Sequence, residues 1–192
     1  MTQVQNLLRD PWPNSARRWA CDDPADLILR MTNNGESIYM ETTAANRNLF
    51  IRHNPGNLDG KYVFAVNVTD LSAGASTYLI VYNMGNWHAL GKSNTISQAN
   101  MLAVSFTVDN APVQLRIQCG SAIGQKMNVK NLLLMTAEDW IAMRADPEQI
   151  VWFAPPKNGV SMQPYVPNLL TGGGYPSNPD RCYPHIDVEA VA

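Results

Sequence analysis

Between Lys61 and Met135 the chain repeats one pattern: a short apolar burst, then a cluster of Gly, Ser, Asn or Asp. The bursts run from Lys61 to Thr69, Ser76 to Asn83, Met101 to Val108, Pro112 to Cys119, and Met127 to Met135. Short, evenly spaced segments of this kind predict strands of an all-β sandwich or barrel. Two of them alternate cleanly. Leu102, Val104, Phe106 and Val108 oppose Ala103, Ser105 and Thr107, and Val113, Leu115, Ile117 and Cys119 oppose Gln114, Arg116 and Gln118. Side chains alternate sides along a strand, so this pattern predicts antiparallel sheets with one buried and one wet face. The strands around Tyr62 and Tyr78 are apolar on both faces, which predicts central positions or cover by another element or subunit.

Upstream, Pro11 and Pro13 exclude a helix, because proline fixes φ and lacks an N–H. Trp19 is expected to cover one end of the core. Ala25 to Thr32 reads as a strand with Leu27, Leu29 and Met31 on one face and Arg30 on the other. Asn33-Asn-Gly35 favours a tight hairpin turn into a return strand from Glu36 to Thr42, where Ile38 and Met40 alternate with Tyr39 and Glu41. Asn46 to Arg52 is a further strand, and His53-Asn-Pro-Gly-Asn57 reads as a loop.

After Met135 the pattern changes. Thr136-Ala-Glu-Asp139 has the form of a helix N-cap with an acidic first turn, Trp140, Ile141 and Met143 supply an apolar edge, and Arg144 sits near the end. From Lys157 onward Pro, Gly and Asn dominate, around a Gly172-Gly-Gly174 hinge. The expected organisation is a β-sandwich over 1–135, a short helical segment packed on it over 136–156, and an extended arm over 157–192. Tyr165, Tyr175 and Tyr183 are the arm's candidate anchors on neighbouring subunits.

Composition narrows the function. Net charge is -2 and charged residues make up 16% of the chain, which leaves no basic stripe to displace counterions from a nucleic acid. No apolar run approaches the ~20 residues of a membrane span, and Met1-Thr-Gln-Val-Gln5 does not open a secretory signal. Synthesis in a cytoplasm is therefore expected. The polar residues are mainly Asn, Ser, Thr and Gln, suited to neutral hydrogen-bonding partners such as sugars or other subunits. Cys21, Cys119 and Cys182 are widely spaced and odd in number, so they read as free thiols rather than a disulfide or zinc framework.

Asn6-Leu-Leu8 with Pro13-Asn-Ser15 and Trp19, then Gly60-Lys-Tyr-Val-Phe-Ala-Val66, Tyr78-Leu-Ile-Val-Tyr82, Val104-Ser-Phe-Thr-Val108 and Leu115-Arg-Ile-Gln-Cys119, together resemble carbohydrate-binding-module-like jelly-roll domains. Such domains occur in structural proteins of bacteriophages, notably minor tail proteins of phages infecting actinobacteria, where the last strand runs into an acidic segment like Leu133 to Trp140. The resemblance covers about residues 5 to 154. It implies a jelly-roll β-sandwich and a non-enzymatic virion protein, made in the host cytoplasm, assembling as a homo-oligomer with other virion structural proteins. Tail association leads that reading, and capsid decoration is its variant. A glycan-binding module for host-surface attachment is the alternative.

Chemical signals are sparse. Gly120 to Lys126 lacks the Gly-Lys-Ser/Thr of a phosphate loop and reads as a hairpin turn. His53, His88 and His185 lie too far apart for a metal motif, and Asp70, Asp109 and Glu41 are too scattered for a calcium site, so neither metal nor cofactor is expected. Glu36 and Glu41 fall on opposite strand faces, unlike a glycosidase pair. Cys119 faces the core, which makes it an inert thiol rather than a nucleophile paired with His88. Trp87, between Asn86 and His88, is the leading candidate for stacking on a pyranose ring or packing on a subunit. Arg47, Phe50, Arg52 and His53 form a second patch, and Tyr39 lies with Phe50 in the same candidate set.

Overall fold

The computed structural model describes residues 4–8, 19–32, 37–44, 49–145 and 153–154. Outside them lie the Pro11 and Pro13 break, the Asn33-Asn-Gly35 turn, Glu36, Arg47, Cys182, His185 and the whole 157–192 arm with Tyr165, Tyr175 and Tyr183. The elements in chain order are β1 (Val4–Gln5), β2 (Ala20–Cys21), β3 (Leu27–Thr32), β4 (Ser37–Thr42), β5 (Phe50–Leu71), β6 (Leu79–Asn83), β7 (Ala89–Lys92), β8 (Asn100–Gln118), β9 (Lys126–Thr136), α1 (Ala137–Ala145) and β10 (Phe153–Ala154). β1 and β10 form a short parallel pair. The rest is antiparallel, in the order β3-β4-β9-β5-β8-β6-β7, with β2 beside β5.

Two long strands, β5 and β8, run through both halves of this sheet. They pair from Phe50↔Gln118 to Val68↔Asn100, interrupted by irregularities between His53 and Gly56 and between Leu58 and Gly60. The last part of β5 pairs with β9 and the first part of β8; its first part pairs with β2 and the last part of β8. Residues of both halves, including Ile51, Leu79, Val81, Leu115 and Ile117 on one side and Phe64, Val66, Val129 and Leu134 on the other, share a single core. The fold is therefore an antiparallel β-sandwich of jelly-roll type whose two layers are joined by β5 and β8.

The bulges correct two readings of the sequence. His53 to Asn57 is not a loop: it continues β5, and Pro55 falls at the bulge, where the ladder needs no N–H from it. Asp109-Asn110 likewise does not separate two strands, because Asn110 takes a φ of 34° and β8 continues beyond it. The extra residue shifts the inward set from the even positions 102–108 to the odd positions 113–119. A third correction concerns Gly120 to Lys126, which is not a hairpin turn. It links β8 to β9, strands that lie on opposite sides of β5, and Gln125 Oε1 closes it by accepting the amides of Ser121 and Ala122 at 2.7 and 3.0 Å.

Helix α1 covers the outer face of the first layer, β3-β4-β9-β5-β8. Thr136 Oγ1 accepts the Asp139 amide at 3.1 Å as an N-cap, and Glu138 and Asp139 sit at the positive end of the helix. Trp140 and Met143 pack on Val63, Ala65, Leu133 and Met135, so β5 is buried on both faces from Val63 to Val66, as the double-sided apolarity of that stretch predicts. Ile141 departs from its expected packing and is exposed. Trp19 is not a lid on the core but fully buried inside it, stacked on His53 and Phe64. Cys119 is buried beside Met40, and burial pushes its thiol well above the ordinary range; Cys21 and Cys119 are both free.

β7, which the sequence pattern does not announce, pairs with β6 and passes close to β8 at Gly91. A Cβ there would lie 2.7 Å from the Ser105 carbonyl oxygen and 2.9 Å from Val104 Cγ2. Gly91→Ala is expected to push β7 outward and to destabilise the protein by about 1–3 kcal/mol, read from the urea midpoint.

Candidate functional site

The second layer, β2-β5-β8-β6-β7, has an outer face that no described element covers. Ile80 and Tyr82 line it from β6 with Tyr78 just ahead of that strand, Phe50, Arg52 and Asn54 from β5, and Gln114, Arg116 and Gln118 from β8. Here the expected wet face is corrected. Gln114 and Gln118 are only 3% and 7% exposed, and they stand opposite Tyr82 and Phe50 on the flanking strands. Antiparallel pairing sets such neighbours ~5 Å apart, within reach of aromatic side chains.

Arg116 is the centre of the face. Its guanidinium carbon lies 4.0 Å from the Phe50 ring centroid, 4.4 Å from Tyr82 and 5.8 Å from Trp87. These rings come from β5, β6 and the β6–β7 turn, and only the β8 register brings them together. Arg116 Nε donates to Gln114 Oε1 at 2.6 Å, and Gln114 Nε2 donates to Asn54 Oδ1 at 3.2 Å. Burial pulls the Arg116 pKa below its ordinary value, against the opposing influence of Tyr82 and Asp22. Arg52, directly opposite Arg116 in the ladder, is held by Asp22 at 2.5 Å. Farther along, Lys92 Nζ lies 3.9 Å over the Tyr78 ring.

Trp87 is 54% exposed and sits at a φ of 58°. Left-handed backbone is a true outlier for a bulky residue. The turn imposes it: Trp87 N donates to Asn83 O at 2.7 Å, Asn83 N to His88 O at 2.9 Å, and Gly85 N to Asn83 Oδ1 at 2.7 Å. Asn86 Oδ1 accepts the His88 amide at 3.0 Å, so Asn86 shapes the turn with the oxygen that sequence reasoning offers to a ligand. His88 is exposed at the same turn.

Of the residues singled out in the sequence, Trp87, Asn86, His88, Phe50 and Arg52 thus fall on or beside one face. Tyr39 does not. It lies on β4 between β3 and β9 in the first layer, where its hydroxyl donates to Glu41 at 2.5 Å and that carboxylate raises its pKa. His53 is buried against Trp19 and faces the core. Sequence reasoning missed Arg116, Tyr82 and Gln114. Among the described residues no cluster of His, Cys, Asp and Glu suited to a metal occurs.

No family model matches this chain, and neither does any curated protein. Solved structures do share its fold. The module TmCBM61 in complex with β-1,4-galactotriose is similar with a TM-score of 0.51 at 10% identity, over 69% of this chain and 99% of that one. A carbohydrate-binding module of family 29 gives 0.45 at 12% identity, over 69% and 88%. The module CBM4 gives 0.46 at 11%, over 69% and 92%. These neighbours lend no support to the virion, tail or capsid roles implied by the resemblance, nor to the oligomer and virion partners that go with them. At such identities the likeness is one of fold: the chain is a jelly-roll β-sandwich, and its structural neighbours are carbohydrate-binding modules.

Proposed function

We propose that this chain is a non-catalytic glycan-binding module and that the outer face of the second layer is its binding surface. One observation carries the reading: three aromatic rings from separate elements are gathered around Arg116 on a face left open among the described residues, with Trp87 half exposed at its rim. An aromatic face offers the apolar side of a sugar ring a flat, rigid contact, while nearby polar groups meet its hydroxyls. Exposed Asn54 supplies an amide there and Arg116 supplies N–H donors, while buried Gln114 holds both in place. That TmCBM61 holds a galactotriose on a similar fold is in keeping with this reading.

The backbone at Trp87 adds to it. A left-handed tryptophan costs about 1–2 kcal/mol that a glycine would not. Strain of that kind at an exposed ring is a reason to look for function there. Trp87→Ala and Trp87→Gly both remove the ring, and only the alanine keeps the strained backbone. Both are expected to weaken glycan binding by about 2 kcal/mol, roughly thirtyfold. The glycine variant is expected to be about 1 kcal/mol more stable than the alanine variant. Affinity electrophoresis through gels cast with soluble plant and microbial polysaccharides reads the first effect, and urea unfolding reads the second. Retardation of wild type that persists in both variants would remove Trp87 from the site. No retardation by any polysaccharide would count against glycan binding itself.

A further inference from the structure

The register of the second layer aligns its cations. Arg52 lies opposite Arg116, Arg116 opposite Ile80, and Ile80 opposite Lys92. Directly opposed residues share a face, so one cross-strand row carries Arg52, Arg116 and Lys92. At the usual strand spacing the row is about 14 Å long. Aromatic rings flank it: Phe50 and Tyr78 to one side, Tyr82 and Trp87 to the other.

The row is short of counter-charge. Two arginines directly opposite one another repel, and Arg52 is held by a carboxylate, Asp22. Among the described residues neither Arg116 nor Lys92 pairs with a carboxylate. Arg116 is half-buried, and of its N–H groups only Nε–H meets an acceptor among them, Gln114 Oε1. A partly desolvated guanidinium with open donors favours an acceptor that carries charge, and its fork matches a carboxylate or sulfate with two parallel bonds. The net charge of the chain is -2, so attraction for an anion must be local to this row.

We infer that the glycan this face takes is acidic, with Arg116 reading an anionic group on a sugar that stacks on Trp87 at the rim of the Tyr82–Arg116–Phe50 cluster. This rests on the glycan-binding reading above and goes beyond it to the class of glycan. A neutral polymer would leave the Arg52–Arg116 repulsion in place; a uronate or sulfate ester relieves it. Lys92, exposed at the end of the row over Tyr78, extends the attraction along the chain of the polymer.

The test compares polygalacturonate, a sulfated galactan and neutral β-1,4-galactan by isothermal titration calorimetry, with wild type, Arg116→Gln and Lys92→Gln. Expected are at least about tenfold tighter binding of one acidic polymer than of the neutral one and a severalfold loss of that affinity between low and high salt. Arg116→Gln is expected to narrow the acidic-to-neutral ratio about tenfold, and Lys92→Gln to narrow it less. Lys92 is exposed, so its variant keeps the test sound should Arg116→Gln disturb the packing of the face. Preference for polygalacturonate identifies a carboxylate as the anion, and preference for the sulfated galactan identifies a sulfate ester. Equal binding of all three polymers, indifferent to salt, would overturn the acidic assignment while leaving the glycan-binding reading intact. Binding of none would overturn both.

Discussion

Trp19→Ala is expected to lower the unfolding free energy by about 3–5 kcal/mol, seen as a fall in the urea midpoint with little change in slope. Trp19 is wholly buried, with its ring 5.2 Å from His53 and 6.2 Å from Phe64, both on β5. Those two residues stand on either side of the β5 bulges, so the indole fills the space where the strand passes from one layer to the other. Removing it leaves a cavity that rigid strands cannot close, and a cavity is what drives such losses beyond the transfer term. Trp19→Phe should cost less. It retains most of the buried ring and deletes an indole N–H that meets no acceptor among the described residues. A Trp19→Ala loss below about 1 kcal/mol would mean the indole is not a core residue.

The second large effect is expected at Asn6. Its side chain works as a polar staple inside the molecule: Nδ2 donates to Leu132 O at 2.9 Å, and Oδ1 accepts from Leu134 N at 3.0 Å and Leu8 N at 3.1 Å. Leu7 N adds a backbone bond to Leu134 O at 2.6 Å, which fixes the opening segment along β9. Asn6→Ala leaves three buried backbone groups without these partners. At about 1 kcal/mol or more for each orphaned group, a loss of about 3 kcal/mol is expected in equilibrium unfolding. Leu8, wholly buried in the core, depends on the same staple for its position. Asn6→Asp keeps the acceptor oxygens but turns a second oxygen toward Leu132 O. It should therefore rescue little, and a loss below about 1 kcal/mol in Asn6→Ala would mean that these bonds do not hold the segment.

What the sequence reveals and what it hides divides along the chain's local and non-local information. Alternation needs only a residue's own neighbours. Leu102 to Val108 and Val113 to Cys119 therefore reveal their buried faces, and Thr136 with Glu138 and Asp139 reveals the start of α1. Bulges defeat the same reasoning, because Asp109-Asn110 and Pro55-Gly56 carry the residues of turns while the strands run on through them. The candidate site is less legible still. Trp87 and Phe50 attract attention as aromatics beside polar residues, and the fold brings them to one face. Arg116 looks like any outward residue of an alternating strand, since nothing in Leu115-Arg-Ile117 announces that β5 and β6 will set aromatic rings around it. The signal that finds it is the register, and the register depends on the bulges. Tyr39 shows the converse. Its local context resembles that of Phe50, yet β4 places it in the other layer, where Glu41 accepts its hydroxyl hydrogen bond.

The most direct measurement is a titration of the isotopically labelled protein with a soluble glycan that it retains, followed through backbone amide chemical shifts. The expected result is a contiguous set of perturbed amides at 50–54 of β5, 80–83 of β6, 86–88 of the following turn and 114–118 of β8. Those of β3, β4 and α1 should stay in place. Perturbation centred instead on Tyr39 and the β3–β4–β9 face, or spread across both layers without a focus, would contradict the assignment of the binding surface.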